Sequence, residues 1–176
     1  MNRAFLVACS LVISFALGGC NRNRSGADVV PLSSSPAPSI SSSADVVKAA
    51  GTAVSIPVGG AVGATVTLSI SSGFHVNANP ATFSYLIPTE VTAGKIEGIA
   101  VSRPVYPAAE KRKFQFANKP LAVYEGEAQI GLRLRAEKNA AKGPRSLPLS
   151  IRVQACDHEQ CFPPATLNAT IAIDVK

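Results

Sequence analysis

Four cysteines, Cys9, Cys20, Cys156 and Cys161, and two histidines, His75 and His158, are the residues of this chain best equipped for chemistry. Cys9 and Cys20 fall within the first twenty residues, so Cys156 and Cys161 remain as the pair in the body of the chain. Two thiols so close together in an oxidising compartment readily close to a disulfide. The residues between them are Asp157-His158-Glu159-Gln160. The chain-entropy account gives a ring this short only about 2 kcal/mol of stabilisation. Two readings therefore stand side by side, a structural bridge and a couple opened and closed by thiol–disulfide exchange. A protonated His158 would favour the thiolate, while Asp157 and Glu159 would oppose it. A metal reading would use Cys156, His158 and Cys161, with His75 as the one further ligand to hand. Structural zinc wants four ligands, so no metal and no cofactor are expected, and copper held by the two thiols and His158 stays as a minor alternative. Neither histidine stands in a triad context and no GxSxG occurs, which argues against nucleophilic hydrolysis.

The elements that must position this pair read as strands. Val66, Leu68 and Ile70 alternate with polar residues, as do Ala128 to Ala136, Leu147 to Ala155 and Leu167 to Val175. Period-two alternation puts one face on a core and the other in water. Weaker strand candidates lie at 52–58, 83–87, 96–103 and 113–117, and Pro148 inside a run predicts an edge or a bulge. Proline and glycine punctuate the gaps, and no helical stripe appears. Seven to nine short strands predict an all-β, immunoglobulin-like antiparallel β-sandwich of two sheets. With no tryptophan and 6% aromatic residues, its core must be aliphatic, and the tryptophan and widely spaced cysteines of antibody domains are missing.

Ahead of the sandwich, residues 1–19 read as a signal peptide: Arg3 gives the positive start and residues 4–17 an apolar run too short to span a bilayer. Leu17-Gly18-Gly19-Cys20 resembles the bacterial lipobox, which makes Cys20 the lipidated N-terminus of the mature chain. Several acyl chains suffice for stable attachment to a membrane. Residues 20–48, rich in Ser and Pro, predict a disordered tether, and residues 49–176 the folded domain. The formal charge of +6 falls to near +5 once Arg3 is lost. The basic residues are scattered apart from Lys111-Arg112-Lys113, read as a solvated turn, so no nucleic-acid partner is expected.

The run from Val153 to Pro164, with Gln154, Cys156, Cys161, Phe162 and Pro163-Pro164, resembles the active-site segment of the N-terminal domain of the thiol:disulfide interchange protein DsbD family. Gly73 to Pro80, Pro104 to Pro107 and Tyr124 to Glu127 resemble further segments of it, so that the likeness spans about residues 50–176. The resemblance implies an immunoglobulin-like domain on the periplasmic side of the cell envelope. It implies that Cys156 and Cys161 take electrons from a thioredoxin-like donor and pass them to disulfide-bearing acceptor proteins. It also implies a cap loop that shields the cysteines, with Tyr106 in it, although Tyr106 also reads as a packed strand-edge aromatic. His158 and Phe162 are further candidates for capping or docking, against a solvated loop residue for His158 and plain core for Phe162. Residues 107–120 are longer and more basic than a short cap segment. The sequence holds no spanning helix and no CxxC motif, so a separate donor is expected. Cys161, ahead of Pro163-Pro164, is expected to be the sulfur that faces the partner. A tethered scaffold or binding module with a purely structural bridge is the alternative.

Overall fold

A computed structural model describes residues 39–176; the predicted signal peptide, the lipidation position Cys20 and most of the predicted tether lie outside the described residues. Two sheets form the sandwich. One takes β1 (Val47–Gly51), β3 (Ala61–Ile70), β9 (Glu127–Ala136) and β6 (Ile99–Val101), in the order β1-β3-β9-β6, with every pair antiparallel. The other takes β2 (Val54–Ile56), β12 (Ala165–Val175), β10 (Gly143–Val153) and β5 (Glu90–Ala93), in the order β2-β12-β10-β5. There β2 runs parallel to β12 and the remaining pairs are antiparallel.

The predicted alternation sets the packing. Ala64, Val66, Leu68 and Ile70 of β3 and Ala128, Ile130, Leu132 and Leu134 of β9 are buried. They meet Leu147, Leu149, Ile151 and Val153 of β10 and Ile171, Ile173 and Val175 of β12 in one aliphatic core. Each large side chain withdrawn from water contributes about 1.5–3 kcal/mol. The fold is thus an immunoglobulin-like antiparallel β-sandwich, as the alternation predicted.

Tight backbone contacts fix two joints. Gly51 ends β1 where the chain crosses to the other sheet, and a Cβ there would lie 2.6 Å from the Thr170 carbonyl oxygen. Pro148 sits inside the sheet rather than at its edge or on a bulge. Its carbonyl accepts from the amide of Gly94, just past the end of β5. In an antiparallel ladder a residue's N–H and C=O face the same neighbour, so the missing proline N–H points where β5 has stopped. A Cβ on Gly94 would come within 2.7 Å of the Pro148 ring.

A third, smaller sheet was not anticipated. It takes β11 (Ala155–Cys156), β4 (His75–Asn77), β8 (Leu121–Tyr124) and β7 (Glu110–Arg112), in the order β11-β4-β8-β7. Among the described residues twelve strands therefore stand where seven to nine were expected. Ordered structure also begins before residue 49. Ser42 and Asp45 form a reciprocal capping box on a 3-10 turn, Ser43–Asp45, which leads straight into β1. Two predicted strands are absent. Residues 83–87 and 113–117 are turns, closed by Leu86 N–H on the Phe83 carbonyl and Ala117 N–H on the Phe114 carbonyl. Their spaced aromatics imitate strand alternation, but the rings pack as a cluster. Lys111 and Arg112 lie on β7 rather than in a turn, and Arg112 is paired with Glu110 and Glu125.

Candidate functional site

The two cysteines are joined: Sγ of Cys156 and Sγ of Cys161 are 2.02 Å apart, with Cα atoms 3.9 Å apart. They face each other across an isolated antiparallel bridge, so the intervening residues close a tight hairpin. Asp157 holds that hairpin. Its backbone N–H donates to the Gln160 carbonyl, and its Oδ1 accepts from the amides of Glu159 and Gln160 at 2.8 Å each. These donors, Gln160 first and Glu159 second, hold the Asp157 carboxyl below its ordinary range.

The stems of the ring are tied to the N-terminal turn by Ser43. Its buried hydroxyl donates to the Pro163 carbonyl at 2.8 Å and accepts from the amide of Ala155 at 2.8 Å. The Ser43 amide donates to the same Pro163 carbonyl, and the Phe162 amide donates to the Ala155 carbonyl. One side chain thus fastens the strand before Cys156 and the segment after Cys161, more than a hundred residues away in sequence.

Register puts the disulfide on a particular face. Cys156 pairs with His75, Asn77 with Val123, and Arg112 with Leu121. Directly paired residues share a face and alternate residues along a strand return to it. Cys156, His75, Asn77, Val123 and Leu121 therefore line one face of the small sheet. The opposite face carries Ala155, Val76 and Tyr124, which join the main core. The disulfide face has a cover of its own: Phe114, Leu121 and Val123 form a second cluster with Phe83, Leu86 and Ala117. Both faces of β4 being covered, all three of its residues are buried. That is why β4 shows no alternation in sequence.

His75 is the polar residue caught in this arrangement. It is 2% exposed. Its ring stacks on Phe114 with centroids 4.0 Å apart, and Phe114 in turn meets His158 of the ring edge-on at 5.9 Å. Burial, with a smaller contribution from His158, holds the His75 pKa down to about 4 against the opposing charge of Asp157, so the imidazole is neutral near pH 7. His75 Nε2 and Asn77 Oδ1 are buried without a hydrogen-bond partner. The Asn77 amide nitrogen donates to the Ile87 carbonyl, the Asn77 carbonyl accepts from the Thr89 hydroxyl, and Thr82 Oγ1 accepts from the Ala122 amide. These bonds hold the Phe83–Leu86 half of the cover to the small sheet.

The two sulfurs differ in access. Cys156 is fully buried, whereas Cys161 is partly exposed. His158, Glu159 and Gln160 are exposed around it. Beyond the cover, Phe116 stacks on Phe114 and Tyr85 on Phe83, and both outer rings reach solvent.

The remaining sequence-derived candidates fall elsewhere. Tyr106, expected in a cap, is packed against the main core, and its hydroxyl accepts from the Val91 amide. The bridge of Val105 to Gly131 of β9 holds that segment on the sandwich. Phe162, left open between docking and core, is buried against Phe74 with centroids 5.8 Å apart. Cover over the disulfide face comes instead from Phe114, which sequence reasoning placed in a strand. The spacing Phe114-Gln115-Phe116, between a basic run and Pro120, was its only available signal. Among the described residues no group of three or more His, Cys, Asp or Glu side chains is placed to hold a metal ion.

The sequence profile of the family described as "Thiol:disulfide interchange protein DsbD, N-terminal" matches residues 44–172. No curated protein matches this chain. Among solved structures, the reduced N-terminal domain of DsbD from Neisseria meningitidis is similar at 18% identity and TM-score 0.43, over 64% of this chain and 78% of that one. The N-terminal periplasmic domain of ScsB from Proteus mirabilis is similar at 13% identity and TM-score 0.44, over 65% of this chain and 42% of that one. A ScaB type I cohesin from Pseudobacteroides cellulosolvens gives 9% identity and TM-score 0.46, over 74% and 92%.

Proposed function

Since this chain belongs to the family of the N-terminal domain of the thiol:disulfide interchange protein DsbD, we propose that Cys156 and Cys161 carry electrons from a thioredoxin-like donor to oxidised acceptor proteins outside the cytoplasm. The observation that carries this reading is the unequal access of the two sulfurs in a ring presented at the domain surface. A purely structural bridge gains nothing from leaving one sulfur within reach.

The exchange runs as follows. A donor thiolate attacks Cys161 Sγ in line with the disulfide. The Cys156–Cys161 bond breaks, its electron pair stays on Cys156 as a thiolate, and a mixed disulfide forms between Cys161 and the donor. The donor's second thiolate then attacks its own sulfur in that mixed bond and releases the Cys161 thiolate. The donor leaves oxidised and the domain reduced, with protons drawn from solvent. With an acceptor the steps reverse: Cys161 attacks, and Cys156 resolves the mixed disulfide.

Phe114 gives this site its control. Stacked over His75, it belongs to a cover on the face that bears Cys156 and meets His158 edge-on, so a partner that docks on the ring to reach Cys161 also comes against Phe114 and Phe116. Segment 113–117 thus takes the shielding role that the family resemblance implied for a cap. Residues 1–19 as a cleaved signal and a lipid on Cys20 would hold the domain at the periplasmic side of a membrane, with residues 20–48 giving reach.

Trapping tests the proposal. Cys156→Ala leaves Cys161 able to attack and unable to be resolved, so mixed disulfides with envelope proteins accumulate. Cys161→Ala, with its remaining sulfur buried, captures far less. Equal silence from both variants, each folded, contradicts the reading and leaves a tethered scaffold.

A further inference from the structure

We propose that His75 is a positioning residue for the reaction: its imidazole N–H takes the hydrogen bond of the Cys156 thiolate that forms when the disulfide opens. This rests on the redox reading above and adds to it what stabilises the leaving sulfur.

Three independent observations point to the same group. The register places His75 directly opposite Cys156 on the neighbouring strand, on the same face. Directly opposed side chains in an antiparallel pair have Cβ atoms about 4.5–5.5 Å apart, within reach of each other. Second, His75 is buried and its Nε2 has no partner while the disulfide is closed. Buried polar atoms in folded proteins are nearly always paired, and an orphan calls for a reason. A closed disulfide offers only a poor acceptor, whereas an opened one leaves a full negative charge on Cys156. Third, the stacked ring of Phe114 fixes the imidazole in place before reaction, so no ordering cost falls on the reactive step.

The charged and titratable groups around His75 are few. The ring contributes Asp157 and His158, the cover contributes the uncharged Phe114, and β8 contributes the apolar Val123 and Leu121 to that face; β7, at the far edge, adds Glu110 and Arg112, exposed and paired with each other. Asp157 is engaged by its own hairpin amides. Cys156 is fully buried, so its thiolate cannot count on water. Burial in apolar surroundings raises a thiol's pKa, and a thiol of higher pKa leaves more slowly from a disulfide. A neutral imidazole carries one hydrogen, which can sit on either nitrogen. The developing thiolate favours the tautomer with that hydrogen on Nε2. The imidazole keeps its proton throughout, and the balance of atoms and electrons is that of the exchange already described.

Two measurements with dithiothreitol as the reductant test the assignment. On the intact chain, nitrogen NMR of the imidazoles is compared before and after reduction. The expected result is a shift of His75 alone, with Nε2 reporting a bonded N–H in the reduced form; unchanged His75 signals overturn the proposal. In the Cys161→Ala background, the ultraviolet absorbance of the Cys156 thiolate is followed against pH. His75→Phe is expected to raise the Cys156 pKa by about one unit, a tenfold loss of thiolate below it. His75→Gln, which keeps an N–H donor, is expected to restore most of that loss. Identical titrations with His, Phe and Gln overturn the proposal even if Phe costs stability. A bridge that dithiothreitol cannot open overturns the redox reading and this assignment together, whereas an opening bridge with unchanged titrations removes only the role of His75.

Discussion

The main sandwich and the small sheet are built from the same chain by opposite means. In the sandwich, β10 and β12 pair along eleven residues, from Gly143↔Val175 to Val153↔Ala165, and the core between the sheets is almost wholly aliphatic. In the small sheet, β11 meets β4 at two positions and β4 meets β8 at two. Its outer face is closed by aromatic rings on two turns rather than by another sheet. Long ladders with interlocking aliphatic side chains make a rigid support. Short ladders closed by rings on turns have fewer such contacts, and regions of that kind open locally without unfolding the rest. The disulfide sits in the second kind of region and is fastened to the first through Ser43.

The sharpest way to break this comparison is to injure each region in turn. Leu134→Ala, in the middle of the aliphatic core, is expected to lower global stability by about 3–4 kcal/mol. Denaturant melts measure it, and the rate at which dithiothreitol opens the disulfide in the folded state should not change. Phe114→Ala is expected to reverse that pattern. Its loss in global stability is about 3 kcal/mol, the low end for a buried phenylalanine, because the cover is peripheral, while dithiothreitol opens the bridge about tenfold faster. A slower reaction, or one unchanged, would show that the cover does not guard the sulfurs.

Acid sharpens the comparison further. His75 holds a pKa of about 4 when folded and near 6.5 when unfolded. Between these values the unfolded chain binds a proton that the folded one refuses, so stability falls as pH drops from 6.5 to 4 and this contribution levels off below. The loss amounts to about 3 kcal/mol and should vanish in His75→Phe when melts at neutral and acid pH are compared. Asp157, with its depressed carboxyl, acts in the same direction but in a lower window: its contribution is present above its ordinary pKa and is lost only as pH falls below it. The smallest expected effect is that of Ser43→Ala, which strands the Ala155 amide at a cost of about 1–2 kcal/mol. Hydrogen exchange should then quicken at Ala155 and Phe162 and stay slow along β9 and β10.

The same contrast explains what the sequence disclosed. Residues such as Val66, Ile130, Leu149 and Ile173 face one core and have water behind them, so alternation announced their strands and the sandwich with them. His75, Val76 and Asn77 are covered on both faces, which erases the alternation, so that only the resemblance of Gly73 to Pro80 to an early strand of the family marked β4. The run from Leu147 to Ala155 read as one strand, but Gln154 interrupts it and Ala155–Cys156 joins a different sheet. Alternation reports burial and is silent on which neighbour a strand pairs with. Phe83, Tyr85, Phe114 and Phe116 alternate as a strand would, yet they lie on turns where stacking, not a ladder, sets their spacing. Cys156 and Cys161 were legible from their spacing. The tie of their flanking residues Ala155 and Pro163 to Ser43, and the opposition of Cys156 to His75, depend on contacts remote in sequence, which no local pattern records.

The midpoint potential of the Cys156–Cys161 couple, measured by equilibration in thiol redox buffers, is the most direct test of whether this bridge is an electron carrier. The account predicts full and reversible cycling at a potential above about −300 mV, within reach of thioredoxin-like donors. A value well below that, or a bridge that opens only when the domain unfolds, would contradict it.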